Sequence, residues 1–244
     1  MRRLAFLIGG DYESFDYLAP GVREDIADWK QYLSSPYGGH WSSCEILDLS
    51  GLSKREIKSG LQLGCKADFS IVCFSGHGYL KKDQFDFSET MVLINDDEEM
   101  SERELNPGSP RTMMIIDCCR ETQDDGVAPL QNEACNLSYQ YDTKSLYEHE
   151  LLKCEKGLVR VFAAAEGESA ADARSFSRTL MKVARSVVKE SRNGILRINE
   201  AVRLAADRMP MQQNPIYQGG RRLHHFPFAI NPLSPFIGNQ HELV

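Results

Sequence analysis

Short apolar runs alternate along the chain with segments in which apolar residues recur every three or four positions. The runs are too short for most helices and predict buried strands at residues 4–8, 44–49, 67–75, 90–94, 113–116 and 157–165. Helical spacing covers residues 21–33, 53–63, 101–105, 175–188 and 196–209. This alternation predicts an α/β fold with a mostly parallel central sheet and helices on both faces.

One long segment interrupts the alternation. Residues 121–150 follow neither the strand period nor the helix period. A loop of this length inside a compact domain is usually functional or mobile. We therefore predict that residues 121–150 form a mobile linker within a single domain spanning residues 1–244.

Reactive side chains follow two of the predicted strands. The run 113–116 ends in Asp117, Cys118 and Cys119, and the run 67–75 leads into His77. Ligand sites of open α/β sheets lie outside the carboxyl ends of the strands. A thiol and an imidazole at neighbouring strand ends are what a cysteine nucleophile and its base require.

The alternation of side chains along a strand favours one of the two cysteines. Asp117 and Cys119 point to one side and Cys118 to the other, for as far as the strand persists. By the same rule Ser75 and His77 share a side. We therefore expect Cys119 in the pocket with these residues, and Cys118 as a buried thiol.

Length and composition narrow the function classes. The chain has 244 residues, which suits one large domain, and 42% of them are hydrophobic. The formal net charge of −7 argues against a nucleic-acid surface. No apolar run approaches the ~20 residues of a membrane span, and residues 1–8 predict a first strand rather than a signal peptide.

The cysteines indicate a reducing compartment. Their number is odd, at seven, and no two are spaced as C-x-x-C. This usage favours a reduced, cytoplasmic protein over a disulfide framework or a zinc site. Three of them lie in or beside apolar segments and are expected in the core: Cys44, Cys65 and Cys73.

Two short motifs carry a family resemblance. The sequence Ser75-Gly-His-Gly78 resembles one box of the caspase-like cysteine peptidases, and Asp117-Cys-Cys-Arg120 resembles their cysteine box in its metacaspase and bacterial form. The resemblance implies a caspase-like three-layer sandwich and a hydrolase with a His77–Cys119 dyad. It also implies that the backbone N–H groups of Gly78 and Cys119 bind the oxyanion. Residues 121–150 match the inter-subunit linker of the family, and 214–218 with 226–230 its closing strand.

The resemblance also implies a substrate preference. Asp117 stands where the Asp-cutting caspases have Gln, and Asp25 and Ser75 match specificity positions of metacaspases. Two carboxylates in a partly desolvated pocket favour a cationic side chain. We expect cleavage after Arg, and less after Lys. The alternative for Asp25 is a solvated residue in the first turn of its helix, where the helix dipole favours a carboxylate.

The acidic run that begins at Asp96 and Asp97 is a candidate calcium site, because carboxylates suit that ion and metacaspases often depend on it. The alternative is a solvated turn, and no cofactor is expected to be required.

Two functions remain open at this stage. The first is a regulated peptidase effector, as in bacterial antiphage defence or cell death, with protein substrates and a small-molecule or protein activator. The second is a catalytically silent caspase-fold scaffold or signal-binding module. The intact pair of His77 and Cys119 favours the peptidase.

Overall fold

The computed structural model describes residues 1–10, 19–82, 84, 87–120, 142–168, 170, 175–191, 194–211 and 213–233. The strands in these ranges are β1 (Arg3–Gly9), β2 (Ile46–Asp48), β3 (Phe69–Ser75), β4 (Gly78–Lys82), β5 (Ser88–Leu93), β6 (Glu99–Ser101), β7 (Arg111–Asp117), β8 (Gly157–Phe162), β9 (Ile195–Arg197), β10 (Ile216–Gln218) and β11 (Pro227–Ile230). The α-helices are α1 (Ala19–Ser34), α2 (Lys54–Leu61), α3 (Thr143–Lys153), α4 (Phe176–Val187) and α5 (Ile198–Ala206).

A six-stranded sheet forms the centre, in the spatial order β10-β8-β7-β3-β1-β2. Five of its strands are parallel, and β10 joins the edge antiparallel to β8. Helices cover both faces, so the predicted α/β architecture is confirmed. The closing segment splits, because β10 extends the central sheet while β11 pairs with β9 in a separate two-stranded sheet.

The alternation of side chains along the strands divides the core in two. Odd-numbered residues such as Leu7, Cys73 and Ile115 face α1, α3, α4 and α5, whereas even-numbered residues such as Phe74 and Ile116 face α2. The central strands β1, β3 and β7 are buried along nearly their whole length and mostly apolar, because both of their faces are covered. Side chains at the ends of β3 and β7 therefore have a predictable face.

Helix α1 packs against the odd-numbered face through residues at helical spacing. Ile26, Trp29 and Leu33 are buried there, and each such side chain contributes about 1.5–3 kcal/mol by leaving water. This packing places Asp25 next to the end of the sheet. Asp25 lies in the second turn of α1 and is buried, so the alternative of a solvated first-turn residue is wrong.

Several boundaries differ from the sequence prediction. No strand was predicted between residues 75 and 90, but this segment contains β4, which forms a three-stranded sheet with β5 and β6. The helix predicted at 196–209 begins with β9, and the strand predicted at 44–49 begins as a 3₁₀ helix (Ser43–Glu45). The helix predicted at 101–105 is a 3₁₀ helix (Glu102–Leu105) with Ser101 as its N-cap.

Helix α3 corrects the end of the predicted linker. It occupies 143–153, where no helical period was visible, and Asp142 caps it by accepting from the N–H of Ser145. Its buried positions have helical spacing, but two of the four are polar: Thr143, Tyr147, Glu150 and Leu151. Glu150 is tolerated there because Arg197 and Lys153 pair with it. Residues 121–141 of the predicted linker lie outside the described residues.

Of the three cysteines predicted to lie in the core, Cys73 is buried and the other two are not. Cys73 is buried in β3, whereas Cys44 and Cys65 are exposed in 3₁₀ turns. No helix among the described residues is long and apolar enough to cross a membrane.

Candidate active site

The carboxyl ends of β3 and β7 lie side by side. Ser75 is the register partner of Asp117, and the N–H of Gly76 donates to the carbonyl of Asp117 at 3.2 Å. His77 and Cys119 each follow two residues after this aligned pair. Both residues therefore lie at the same edge of the sheet, which the sequence predicted from the positions at which the two strands end.

The glycines around His77 meet two different demands. Gly76 has φ of +156°, which side chains rarely adopt, and it turns the chain out of β3. A Cβ at Gly78 would lie 2.5 Å from Cys118 Sγ and 2.7 Å from a backbone oxygen of Met91, so only glycine fits there. Close packing of Gly78 on Cys118 therefore joins the histidine loop to the cysteine loop.

The pairing of β4 with β5 orients the backbone at Gly78. The N–H of Leu93 donates to the carbonyl of His77 at 3.0 Å, which makes these two residues a hydrogen-bonded pair. Bonded and non-bonded pairs alternate in an antiparallel ladder, so the next pair, Gly78 with Val92, is non-bonded. The N–H of Gly78 consequently points away from β5.

The two cysteines occupy different environments. Cys118 is buried in the core on the even-numbered face, and burial raises the pKa of its thiol well above the ordinary value. Cys119 is only half-buried, and its Sγ lies 3.4 Å from the backbone nitrogen of Ala170, which donates to it. The thiol in turn donates to the carbonyl of Ala170, whose oxygen lies 3.7 Å from Sγ. The prediction that Cys118 is a buried thiol is confirmed.

Arg120 anchors the segment that carries Cys119. Its guanidinium is buried over the ring of Phe162 at 4.2 Å, and it donates to Thr90 Oγ1 at 3.1 Å and to the carbonyl of Ala164 at 3.3 Å. Its backbone N–H donates to the carbonyl of Glu168 at 2.9 Å. One residue thus ties the cysteine loop to β5 and to the chain after β8. This role was not predicted, although Arg120 lies inside the cysteine motif.

Arg120→Ala is expected to lower the free energy of unfolding by about 2–4 kcal/mol, because two buried acceptors lose their donor and Phe162 loses its cation. Loss of the anchor also predicts a fall in kcat/KM of about tenfold or more. Urea unfolding and peptide hydrolysis measure the two effects. Arg103→Ala is the control, since Arg103 is exposed and pairs with Glu89 at the surface. A wild-type urea midpoint for Arg120→Ala would contradict the expectation.

The three predicted specificity residues form one buried acidic group. Ser75 Oγ donates to Asp25 Oδ2 at 2.7 Å, which joins β3 to α1. Asp117 Oδ2 accepts from the N–H of Ser177 at 2.7 Å and from Ser175 Oγ at 3.1 Å. All three predicted residues are buried, and Ser75 and Asp117 face α1 and α4, as their odd numbers on the strands require.

Burial makes both carboxyl groups hard to ionise. It is the largest cause that raises the pKa of Asp25 to about 7, and the charge of Asp117 adds to it against Ser75 and Arg178. Burial likewise raises the pKa of Asp117, while the donors at Ser177 and Ser175 oppose it. Because two neighbouring buried carboxyl groups oppose each other's ionisation, a cation that binds between them is favoured.

Arg178 also belongs to this group, and sequence reasoning missed it. Its Nε lies 2.9 Å from Asp25 Oδ1, and its Nη2 lies 2.7 Å from Glu24 Oε2. The two partners are 153 residues apart in the chain, in α4 and α1. No local pattern marks such a pair, because it depends on how two helices pack.

A family model of the caspase domain matches residues 2–222. The chain belongs to the caspase-domain family. It is therefore a cysteine peptidase, a hydrolase whose substrates are proteins. The caspase domain is also similar to a solved structure, caspase-1 from Spodoptera frugiperda, at 14% identity and a TM-score of 0.55, covering 91% of this chain and 88% of that chain. At that identity the likeness shows the shared fold, and no curated protein matches the sequence.

Asp96 and Asp97 lie apart from the acidic group of this caspase domain. Both are exposed in the turn between β5 and β6, where the side chain of Asn95 accepts from the N–H groups of Asp97 and Glu98. The carboxylate of Glu98 already accepts from Lys54 and Asn95. Within the described ranges, no three His, Cys, Asp or Glu side chains are grouped so that they could hold a metal ion.

Proposed function

We propose that this peptidase cleaves proteins after arginine, and less efficiently after lysine, with Cys119 as the nucleophile and His77 as its acid and base. What supports the proposal is the buried acidic group of Asp25, Ser75 and Asp117 beside the strand ends that lead to both residues. Such a group suits a guanidinium and repels an acidic side chain.

In the proposed mechanism His77 takes the proton of Cys119, and the thiolate attacks the carbonyl carbon of the scissile peptide. The N–H groups of Gly78 and Cys119 stabilise the oxyanion, which the direction of the Gly78 N–H away from β5 allows. His77 then protonates the leaving amine, and water releases the acyl group from sulfur. The buried Cys118 takes no part.

The proposed substrate cation binds through the ionised form of the acidic group. Asp25 has a pKa of about 7, so at lower pH its carboxyl group is mainly protonated and attracts a guanidinium weakly. As the pH rises through 7 the carboxylate forms. The preference for arginine over an uncharged side chain of similar shape is therefore expected to increase with pH.

Reporter peptides that differ only in the residue before the scissile bond test this proposal. Arginine is expected to be cleaved best, then lysine, with citrulline and aspartate poor. The ratio of kcat/KM for arginine over citrulline is expected to rise about tenfold between pH 6 and 8, following the free enzyme. Both peptides use the same nucleophile, so ionisation of the catalytic pair cancels in the ratio. A preference for aspartate, or a ratio independent of pH, would exclude the proposal.

Asp25→Asn is the control variant for this pH dependence. The amide keeps the shape of the side chain and its acceptor for Ser75 but does not ionise near neutral pH. The arginine-to-citrulline ratio of this variant is expected to be low and flat across the same pH range. A ratio that still rises through pH 7 would assign the dependence to another group.

We also propose, from the resemblance, that the peptidase is a cytoplasmic regulated effector in bacterial antiphage defence or cell death, switched by a small-molecule or protein activator. No step of the mechanism is assigned to calcium at Asp96 and Asp97. The reporter assay with and without added calcium tests for dependence on the ion.

A further inference from the structure

Arg178 approaches the acidic group from α4. Its guanidinium contacts three carboxylates of α1, at 2.9 Å to Asp25, 2.7 Å to Glu24 and 3.2 Å to Asp28. These residues lie in adjacent turns of α1, and the side chain of Arg178 is 22% exposed. The cation therefore lies at the rim of the buried group, between two helices.

Asp25 is held on both of its carboxylate oxygens. Arg178 Nε donates to Oδ1, and Ser75 Oγ donates to Oδ2 at 2.7 Å. The three residues come from three elements: α1, α4 and β3. Because the two donors converge from different elements, the carboxylate has one orientation relative to Asp117. Ser175, at the start of α4, is a further hydrogen-bonding partner of this carboxylate.

The charges around Arg178 leave the group negative. Glu24 and Asp28 surround the guanidinium from α1, Asp117 approaches Asp25 from β7, and Arg185 lies further along α4 near Asp28. Among the described residues, two arginines thus face four carboxyl groups here. One more cation can be accommodated, so Arg178 prepares the group for a guanidinium instead of replacing it.

We propose that Arg178 is a positioning residue for substrate recognition: it holds Asp25 as an oriented anion, so that Asp25 and Asp117 together bind the arginine of the substrate. This inference rests on the proposed preference for arginine. Arg178 does not touch the reacting atoms, and it acts through Asp25.

The electrostatics of Asp25 agree with this role. Burial and the charge of Asp117 raise the pKa of Asp25, whereas Arg178 and the hydroxyl of Ser75 lower it. Removing Arg178 takes away an opposing charge, so Asp25 then holds its proton to a higher pH. At neutral pH the variant presents a neutral carboxyl group to the substrate, and the binding of a guanidinium weakens.

The test compares Arg178→Gln and Arg178→Lys with Lys182→Gln. Lys182 lies four residues further along α4 and is exposed, so its replacement removes one positive charge without touching Asp25. Titration of the Asp25 carboxyl carbon by NMR, assigned with Asp25→Asn, reports ionisation without substrate. The arginine-to-citrulline ratio of kcat/KM, measured across pH, reports recognition.

For Arg178→Gln we expect the Asp25 titration to move up by about one pH unit or more, with the arginine-to-citrulline ratio at pH 7.5 about tenfold lower and recovering towards pH 9. The citrulline peptide, which carries no cation, is expected to lose less than the arginine peptide. Arg178→Lys keeps the charge and is expected to restore most of the wild-type titration. Lys182→Gln is expected to match the wild type in both readouts.

Two outcomes separate this inference from the proposed function. A wild-type enzyme with no preference for arginine would overturn both. A wild-type enzyme that prefers arginine, with an unshifted Asp25 titration or a raised arginine-to-citrulline ratio in Arg178→Gln, would overturn the inference alone. The raised ratio would mean that Arg178 competes with the substrate. If Arg178→Gln does not fold, Arg178→Lys is the deciding variant. If Arg178 positions Asp25 through the geometry of its guanidinium, lysine at this position partly lowers the arginine-to-citrulline ratio of kcat/KM. If Arg178 has no such role, the ratio is unchanged.

Discussion

Cys119→Ala is expected to lower kcat/KM by on the order of 10⁴-fold or more, because loss of a nucleophile removes the covalent route and leaves only binding and the oxyanion donors. Cys118→Ala is expected to retain activity within about tenfold and to lose about 1–2 kcal/mol of stability. The two thiols are adjacent in the chain, but only Cys119 is at the surface of the site, and Cys118 packs against Gly78. The two variants therefore distinguish the catalytic role of one cysteine from the packing role of its neighbour.

Hydrolysis of an arginine reporter measures the activity, and thermal unfolding measures the stability. A peptide chloromethylketone with arginine at its reactive end adds a second measurement, since it alkylates the nucleophile itself. We expect mass spectrometry to find the label in the wild type and in Cys118→Ala, and to find none in Cys119→Ala. A labelled, active Cys119→Ala would reverse the assignment of the two cysteines.

Asp117→Asn is expected to lower kcat/KM for the arginine reporter by about 100-fold, while the citrulline reporter loses less than about tenfold. The amide oxygen can still accept from Ser177 and Ser175, so the start of α4 stays attached to β7. What the variant loses is one of the two carboxylates that pair with the cation, in a desolvated site where such pairs are strong. The variant is therefore expected to lower mainly the preference for the arginine reporter over the citrulline reporter.

Asp68→Asn serves as the matched control for this change. Asp68 precedes β3 at the opposite end of the strand, where it is exposed and accepts from the N–H of Arg2. Its replacement removes the same charge far from the site and is expected to leave both reporters unaffected. Equal losses for arginine and citrulline in Asp117→Asn would show that Asp117 has a structural role only.

The central sheet and the position of the reactive residues follow from local patterns. Apolar runs bounded by polar residues correctly predicted β1, β3, β7 and β8, because a strand that is buried on both faces must be mainly apolar. The same patterns located His77 and Cys119 directly after two of these strands. The odd and even faces persisted to Cys118, so strand alternation also predicted which cysteine is buried.

Predictions failed for elements that tertiary contacts stabilise although their local sequence is not typical of a helix or a strand. Helix α3 had no visible period, because Glu150 and Thr143 occupy buried positions that are usually apolar. Glu150 is acceptable there because Arg197 of β9 and Lys153 of the same helix pair with it. The strand β4 was not among the predicted strands, because its apolar and polar residues alternate only weakly and its hydrogen bonds come from β5.

The two motifs in the sequence were sufficient to place a histidine and a cysteine at neighbouring strand ends, because strand boundaries and side-chain alternation are local properties. The charges around that edge required the fold. Asp25, Ser75, Asp117 and Arg178 lie on four separate elements, and only the packing of α1 and α4 against the sheet brings them into contact. Burial, which raises the pKa of Asp25, is likewise a property of the assembled core and of no single segment.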